Sequence, residues 1–200
     1  MAGRQFRSAA NGIARDEVVV DCGVVRDAAL AAELILRMGR DQAARAAVPL
    51  TDVDAEAVAR VRAVDAENTS WFKTVLDGSG WPGRSLVGDE GALAAWLLAQ
   101  HAAHDLDFQR RCLVLLEQAV HDGEADAAHW AYLLDRVRCA EGRQQLYGTQ
   151  FWHGPNGQDA LGPKPVEDIE GLDQRRRMVG LESFADYKRQ IDQMHLPPRG

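Results

Sequence analysis

Residues 94–108 read AAWLLAQHAAHDLDF, and this stretch passes from an apolar helix to a polar one without changing face. Steps of three and four, the spacing of neighbours along one side of a helix, connect one set of side chains: Leu93, Leu97, Gln100 with His101, and His104. The leucines at the start of this stripe indicate burial. The stripe therefore predicts that two imidazoles and an amide point toward a helical core.

Helical periods continue on both sides of this stretch, and patterns of period two, typical of strands, are almost absent. They predict helices at residues 25–47, 51–76, 90–104, 105–122, 126–141, 172–179 and 183–194. We expect an all-α fold, a single-domain helical bundle of about six to seven helices with a loop-rich flank. The chain then divides into an N-terminal arm (1–24), a helical domain (25–195) and a tail (196–200).

The composition limits the classes of partner. Of the 200 residues, 46% are hydrophobic, which is enough for one core. The net charge is −7 without a dominant basic block, which argues against nucleic acid as a partner. No apolar run reaches the length of a membrane span, and the N-terminus does not resemble a secretory signal. Three cysteines without close spacing favour a reducing, cytoplasmic location.

Polar side chains stand at several helix positions where the stripe predicts apolar ones. In the first helix the apolar stripe continues to Asp41 and Arg45, and in the second Asp65 and Asn68 lie between apolar neighbours. Asp135 follows an apolar stripe in the fifth helix. Burying an unpaired carboxylate costs several kcal/mol, so each such residue needs a partner. Either these residues make satisfied contacts between helices, or they share a polar interior that forms a site.

Two loops add candidates for substrate binding. Arg84 falls in the Gly- and Pro-rich segment 77–91, where a loop aims its guanidinium into a cleft or pairs it with a helix carboxylate. The segment 143–157 has no helical period and combines amide side chains with aromatic ones. Such a loop either lines a pocket or lies on the surface.

Three strings carry a family resemblance: GWPGRSLVG at 80–88, AAWLLAQHAAHDLDFQRRCLVLL at 94–116 and AYLLDRVRCAEGRQQLYGTQF at 131–151. With them the chain resembles an uncharacterised bacterial family, a domain of unknown function, over residues 30–187. The family pattern also includes D-Q-x-x-R, here from Asp41 to Arg45, and D-x-x-N-T, here from Asp65 to Thr69. In the central segment Ala103 replaces an acid that the family usually has. The resemblance implies that the inward polar residues belong to the family, and it implies no activity.

Metal-free general acid–base chemistry on a small organic molecule fits these residues best. Histidine exchanges protons near neutral pH, and a buried Asp can orient it. The candidate catalytic residues are His101, His104, Asp65 and Asp135. The candidate substrate-binding residues are Asp41, Arg45, Asn68, Arg84, Arg136, Gln145, Tyr147 and Gln150. The expected reactions are elimination or dehydration, addition, isomerisation or cyclisation, as in a biosynthetic lyase or cyclase, without a metal or other cofactor.

Two alternatives stay open at this point. A metal-dependent hydrolase would use His101, His104 and Asp105, whose spacing lets one helix present several ligands. Asp41, Asp65 or Asp135 would replace the histidine of an earlier helix, because no histidine precedes His101. A non-catalytic module would use the same interior to bind a small molecule or to present a surface to another protein. For His101 the sequence offers three carboxylate partners, Asp41, Asp65 and Asp135, and it leaves the oligomeric state open.

Overall fold

A computed structural model describes residues 25–48, 54–152 and 161–195. Helices make up 70% of these residues, and the only sheet among them has two short strands. The helices are α1 Ala28–Ala46, α2 Ala55–Ser79, α3 Arg84–His101, α4 Leu106–His121, α5 Ala127–Ala140, α6 Leu172–Met178 and α7 Phe184–His195. The strands are β1 Phe151–Trp152 and β2 Gly162–Pro163, which pair antiparallel. The predicted all-α class is confirmed, whereas the arm 1–24 and the tail 196–200 lie outside the described residues.

Two predicted helix starts were wrong. Asp54 caps α2 by accepting the backbone N–H of Glu56, so this helix begins later than the pattern indicated. The predicted loop 77–91 was too long, because α3 already begins at Arg84. A single kink at Gly88, with φ of 73°, interrupts its first turns. None of the described helices has the length and apolar character needed to cross a bilayer.

Helix α3 lies at the centre and packs against α1, α2, α4 and α5. Its most buried residues are small or aliphatic: Val87, Ala94, Ala95, Leu98 and Ala99. The predicted stripe was therefore rotated by about one residue. Leu93 is 39% exposed. Alanine lacks bulk beyond Cβ, so this face lets α1 approach α3 closely, which large leucines on the same face would prevent.

The polar continuation of α1 is buried, as its stripe predicted. Leu34 is fully buried and Asp41, two turns later, is only 1% exposed, so this helix does not emerge into solvent before its last turn. Helix α1 packs on both α2 and α3. The carboxyl ends of α1 and α3 therefore meet beside the middle of α2, and this meeting point positions the site.

The flank after α5 is held by its own polar side chains. Asp135 accepts the backbone N–H groups of Leu146, Tyr147 and Thr149 at 2.7–3.1 Å, and also the Thr149 hydroxyl. Gln145 is fully buried and bonds to the backbone of Gln150 through both its amide nitrogen and its oxygen. These contacts close the loop on the end of α5, so its polar side chains serve the loop itself.

Candidate functional site

Four charged or ionisable side chains converge where α1, α2 and α3 meet. Asp41 and Arg45 stand one turn apart on α1, Asp65 lies in the middle of α2, and His101 is the last residue of α3. The helical spacing of α1 places its two residues on one face. The packing of α1 on both neighbours brings His101 and Asp65 to that face. The structure thus assembles into one cluster residues that are up to 60 positions apart.

The imidazole of His101 is held by Asp41. Its Nδ1 lies 2.8 Å from Oδ2 and 3.0 Å from Oδ1 of that carboxylate. The Nε of Arg45 also lies 3.0 Å from Nδ1, and since a guanidinium nitrogen can only donate, Nδ1 cannot both accept from Arg45 and donate to Asp41. If Nδ1 were unprotonated, its lone pair would face the carboxylate at hydrogen-bond distance. We therefore assign the proton to Nδ1, which donates to Asp41, while the Nε of Arg45 donates to Asp41 in place of Nδ1. When the imidazole is uncharged, this tautomer leaves its Nε2 with a free lone pair.

Arg45 connects the two carboxylates of the cluster. Its Nε donates to Asp41 at 3.2 Å, and its Nη2 lies 2.5 Å from Asp65 and 3.1 Å from Asp41. Its Nη1 has no partner among the residues that the structure describes. The Gln42 amide also donates to Asp41, at 2.8 Å. Asp41 therefore receives donors from three side chains, which fixes its orientation.

These contacts separate the acidities of the two carboxyls. Burial alone would raise the pKa of Asp41, but hydrogen bonds and positive charge from His101 and Arg45 outweigh it and lower this pKa to about 2. For Asp65, burial raises the pKa, assisted by the charge of Asp41 and opposed by Arg45. Asp41 is therefore ionised at neutral pH, and as a carboxylate it can orient an imidazole and stabilise its cation.

The cluster is accessible from one side. The side chain of His101 is 19% exposed and that of Arg45 is 32% exposed, whereas Asp41 beneath them is 1% exposed. Nε2 of His101 makes no hydrogen bond with any described residue. A pocket of about 420 Å³ adjoins Arg45 and is lined otherwise by Val48, Val58, Val61 and Arg62. Its volume suits a small organic molecule, and its wall is mainly apolar.

Other pockets of similar size lie away from this cluster. One of about 440 Å³ is bordered by Trp81 and Glu124, and one of about 410 Å³ by Trp96 and His129. Arg84 belongs to the second, where it pairs with Asp126 at 2.5 Å. It begins α3 whereas His101 ends it, a separation of roughly 25 Å at 1.5 Å per helical residue. The structure therefore does not bring Arg84 to the cluster, because the predicted loop is helical there.

One group of potential metal ligands occurs among the described residues. Ligand atoms of Asp41, Asp65 and His101 lie within 4.8 Å of one another. The guanidinium of Arg45 already bridges both carboxylates, so a cation there would have to displace it. The ligand set expected from sequence does not form, since His104 is exposed beyond the end of α3.

Asp105, the third residue of that expected set, has a structural use. Its carboxylate caps α4 by accepting the N–H of Phe108 at 3.0 Å, and it binds Lys73 at 2.6 Å. The separation from His101 follows from the break between α3 and α4. One helix would have presented the ligands together, but the chain turns at Ala102.

Other predicted residues divide between the cluster and the flank. Asn68 is buried one turn from Asp65 and accepts a hydrogen bond from Arg37 at 3.2 Å, while its Nδ2 has no partner in the described structure. The flank retains Asp135, Gln145, Tyr147 and Gln150, which the loop contacts hold. Their predicted roles in catalysis or substrate binding stay predictions, and the structure does not place them in contact with His101.

Gln42 is a residue of the cluster that the inward stripe missed. It follows Asp41 directly, so it lies off the stripe of α1 and is itself exposed. Its amide reaches back to Asp41 across the helix surface. The D-Q-x-x-R string contained the signal, because it names Gln42 together with both α1 residues of the cluster.

Residues 28–196 match a family model whose description is Family of unknown function (DUF6624), and the chain belongs to this family. No curated protein and no solved structure matches the chain. The expected membership of a family of unknown function is thus confirmed, and the individual sequence motifs stay a prediction.

Proposed function

Because the chain belongs to a family without a known function, we propose an activity from the cluster itself: metal-independent general acid–base catalysis on a small organic molecule. The observation that carries this proposal is the pairing of His101 Nδ1 with the buried Asp41 carboxylate at 2.8 Å. This pairing leaves Nε2 without a partner among the described residues, in a side chain that is 19% exposed. An imidazole held in this way is equipped to accept and return a proton.

The proposed step uses each group for one purpose. The Nε2 lone pair of His101 takes a proton from a carbon or oxygen of the substrate. The electron pair of the broken bond stays on the substrate. Asp41 stabilises the resulting imidazolium. Arg45 offers Nη1 to an oxygen on which negative charge develops. The imidazolium then returns its proton to another substrate atom in an isomerisation, or to the leaving group in an elimination.

The proposed reaction classes follow from the groups that the cluster contains. The cluster contains no thiol or hydroxyl group, and the buried Cys112 lies apart from it in the apolar core, where burial raises its pKa to about 12. Elimination, addition, isomerisation and cyclisation need only proton transfer and stabilisation of charge. We therefore place the activity among lyase- or cyclase-like reactions of a cytoplasmic enzyme, and its substrate among small molecules.

Exchange of substrate hydrogen for solvent deuterium tests the proposal. A panel of compounds is used because the proposal names a class of substrate and not one compound. Small carbonyl, hydroxy and carboxylic compounds are incubated with the protein in D₂O and followed by NMR for deuterium uptake or conversion. The wild type and His101→Ala are compared with His104→Ala, a matched exposed histidine near the same helix end. Proton transfer contributes about 10²–10⁴-fold in rate, so His101→Ala should lose about 3–5 kcal/mol of barrier lowering.

The melting temperature of each variant, measured on the same preparation, separates catalysis from structure. We expect His101→Ala to stay folded and lose conversion, and His104→Ala to retain it. A His101→Ala protein that melts early and still converts the substrate would exclude His101 as the catalyst. A wild type that leaves the whole panel unchanged would favour the non-catalytic binding module.

A metal-dependent hydrolase is the second candidate, and one observation favours it. Asp41, Asp65 and His101 present ligand atoms within 4.8 Å, a nitrogen and two carboxylates. For a cation to bind there, Arg45 has to leave both carboxylates, and His101 has to exchange its hydrogen bond or turn its ring. The existing pairing favours the first proposal, and metal analysis of the purified protein distinguishes the two.

A further inference from the structure

Arg136 differs from every other shielded arginine in the described part of the chain. The others that are not exposed each make a hydrogen bond or an ion pair. Arg136 makes neither with any described residue, and its Nε is buried without an acceptor. Its neighbour Arg138, by contrast, donates to Gln144 and pairs with Glu167. A guanidinium has five N–H donors. In Arg136 the Nε–H is buried without an acceptor, while Nη1 and Nη2 stay accessible and can donate to a bound acceptor.

Arg136 lies at the end of the bundle that holds the His101 cluster. It is in the last two turns of α5, and Glu141 directly after this helix pairs at 2.9 Å with Arg110 in the first turns of α4. Helix α4 follows His101 after a short turn. Burial lowers the pKa of Arg136, and the positive charge of Arg45 lowers it further.

The carboxylates of the cluster are not free to accept from Arg136. Asp41 already receives donors from His101, Arg45 and Gln42, and Asp65 is held by Arg45 at 2.5 Å. All donors of Arg45 except Nη1 thus serve the two carboxylates, whereas Arg136 has no acceptor among the described residues. Shielding such a charge from water costs free energy, and a carboxylate or phosphate offsets this cost because two of its oxygens fit the planar fork of the guanidinium.

We propose that Arg136 binds the acidic group of the substrate, a carboxylate or a phosphate, beside the Arg45–His101 cluster. This inference rests on the proposed function, since it takes the cluster as the reaction site. Anchoring at Arg136 would hold an anionic molecule at the bundle end on which the free Nε2 of His101 lies. It defines the substrate class as small organic acids or phosphate esters.

Anion binding can be measured apart from catalysis. Calorimetric titrations at low ionic strength use inorganic phosphate in one arm and succinate in the other, which distinguishes phosphate from carboxylate. The proteins are the wild type, Arg136→Gln and the control Arg40→Gln, which removes an exposed arginine of α1 that makes no ion pair with any described residue. Thermal unfolding of each protein, with and without the probe, accompanies the titrations.

We expect one probe to bind the wild type saturably at one site and to raise its melting temperature. Arg136→Gln should weaken that binding at least tenfold, whereas Arg40→Gln should stay within about threefold of wild type. Without anion, Arg136→Gln should melt no lower than wild type, because it removes an unpaired buried charge. If Arg136→Gln does not fold, Arg136→Lys keeps the charge without the fork and should still bind more weakly.

Three results would overturn the inference: no saturable binding of either probe to the wild type, equal binding by Arg136→Gln, or early melting of that variant without anion. The third would show that Arg136 stabilises the fold through a partner of its own. A different result would show that the proposed function is wrong, namely substrate conversion that survives in His101→Ala. Anion binding that depends on Arg136 can hold in either case.

Discussion

Replacing Asp41 by asparagine removes the charge that orients His101 and keeps the size of the side chain. On folding, the pKa of Asp41 falls from 3.8 to about 2, and at about 1.4 kcal/mol per pKa unit this stabilises the folded state by about 2 kcal/mol. A carboxyl that is more acidic in the folded protein contributes its full stability above the unfolded value. This contribution is complete above about pH 5 and is lost as the pH falls through 4 toward 2.

Urea unfolding followed by circular dichroism at several values of pH measures this contribution. At pH 7 we expect Asp41→Asn to have a free energy of unfolding about 2 kcal/mol below that of the wild type. The difference should shrink by about 2 kcal/mol between pH 5 and pH 2. Titrating groups away from the cluster are the same in both proteins and largely cancel in the difference. Asp65 cancels only in part, because the charge of Asp41 contributes to its raised pKa and is lost in Asp41→Asn.

Asp107→Asn is the matched control, because Asp107 also pairs with an arginine but its side chain is 91% exposed. Water and salt screen such a surface pair, so its loss should change stability by less than about 1 kcal/mol at every pH. The reasoning on Asp41 is refuted if the difference between wild type and Asp41→Asn is the same at pH 7 and pH 2. It is also refuted if Asp107→Asn reproduces the pH dependence.

Two further predictions concern the flank and the metal. Asp135→Asn places an amide donor against the N–H groups of Leu146, Tyr147 and Thr149, and we expect a loss of about 2–4 kcal/mol in urea unfolding; a loss under about 1 kcal/mol would contradict the anchoring role. Elemental analysis of the purified protein should find well under one equivalent of zinc, iron or manganese, because Arg45 bridges the two carboxylates; about one equivalent, lost on His101→Ala, would support the hydrolase.

Periodicity within single helices was enough to predict much of this protein. The all-α class and the order of the helices follow from apolar stripes at steps of three and four. Each stripe also identified its own anomalies, among them Asp41, whose burial the structure confirms. These features are local, because one helix has a fixed relation between spacing and face. A stripe of leucines was nevertheless misleading in α3, where the close approach of α1 selects the alanine face.

The partners of the polar residues were decided only by the tertiary structure. Spacing made Asp41, Asp65 and Asp135 equal candidates for His101, and the packing of α1 on α3 selected Asp41. Asp135 went instead to the flank loop, whose backbone N–H groups need an acceptor once they leave water.

The sequence made Arg136 a candidate for substrate binding, but it did not show that its donors would lack acceptors. Its neighbours Asp135 and Arg138 both find partners, and nothing in the residue order marks Arg136 as different. A helical period states which way a side chain faces. Whether an acceptor lies near that side chain depends on how three or four helices pack against one another. This packing brings together residues that are far apart in the chain.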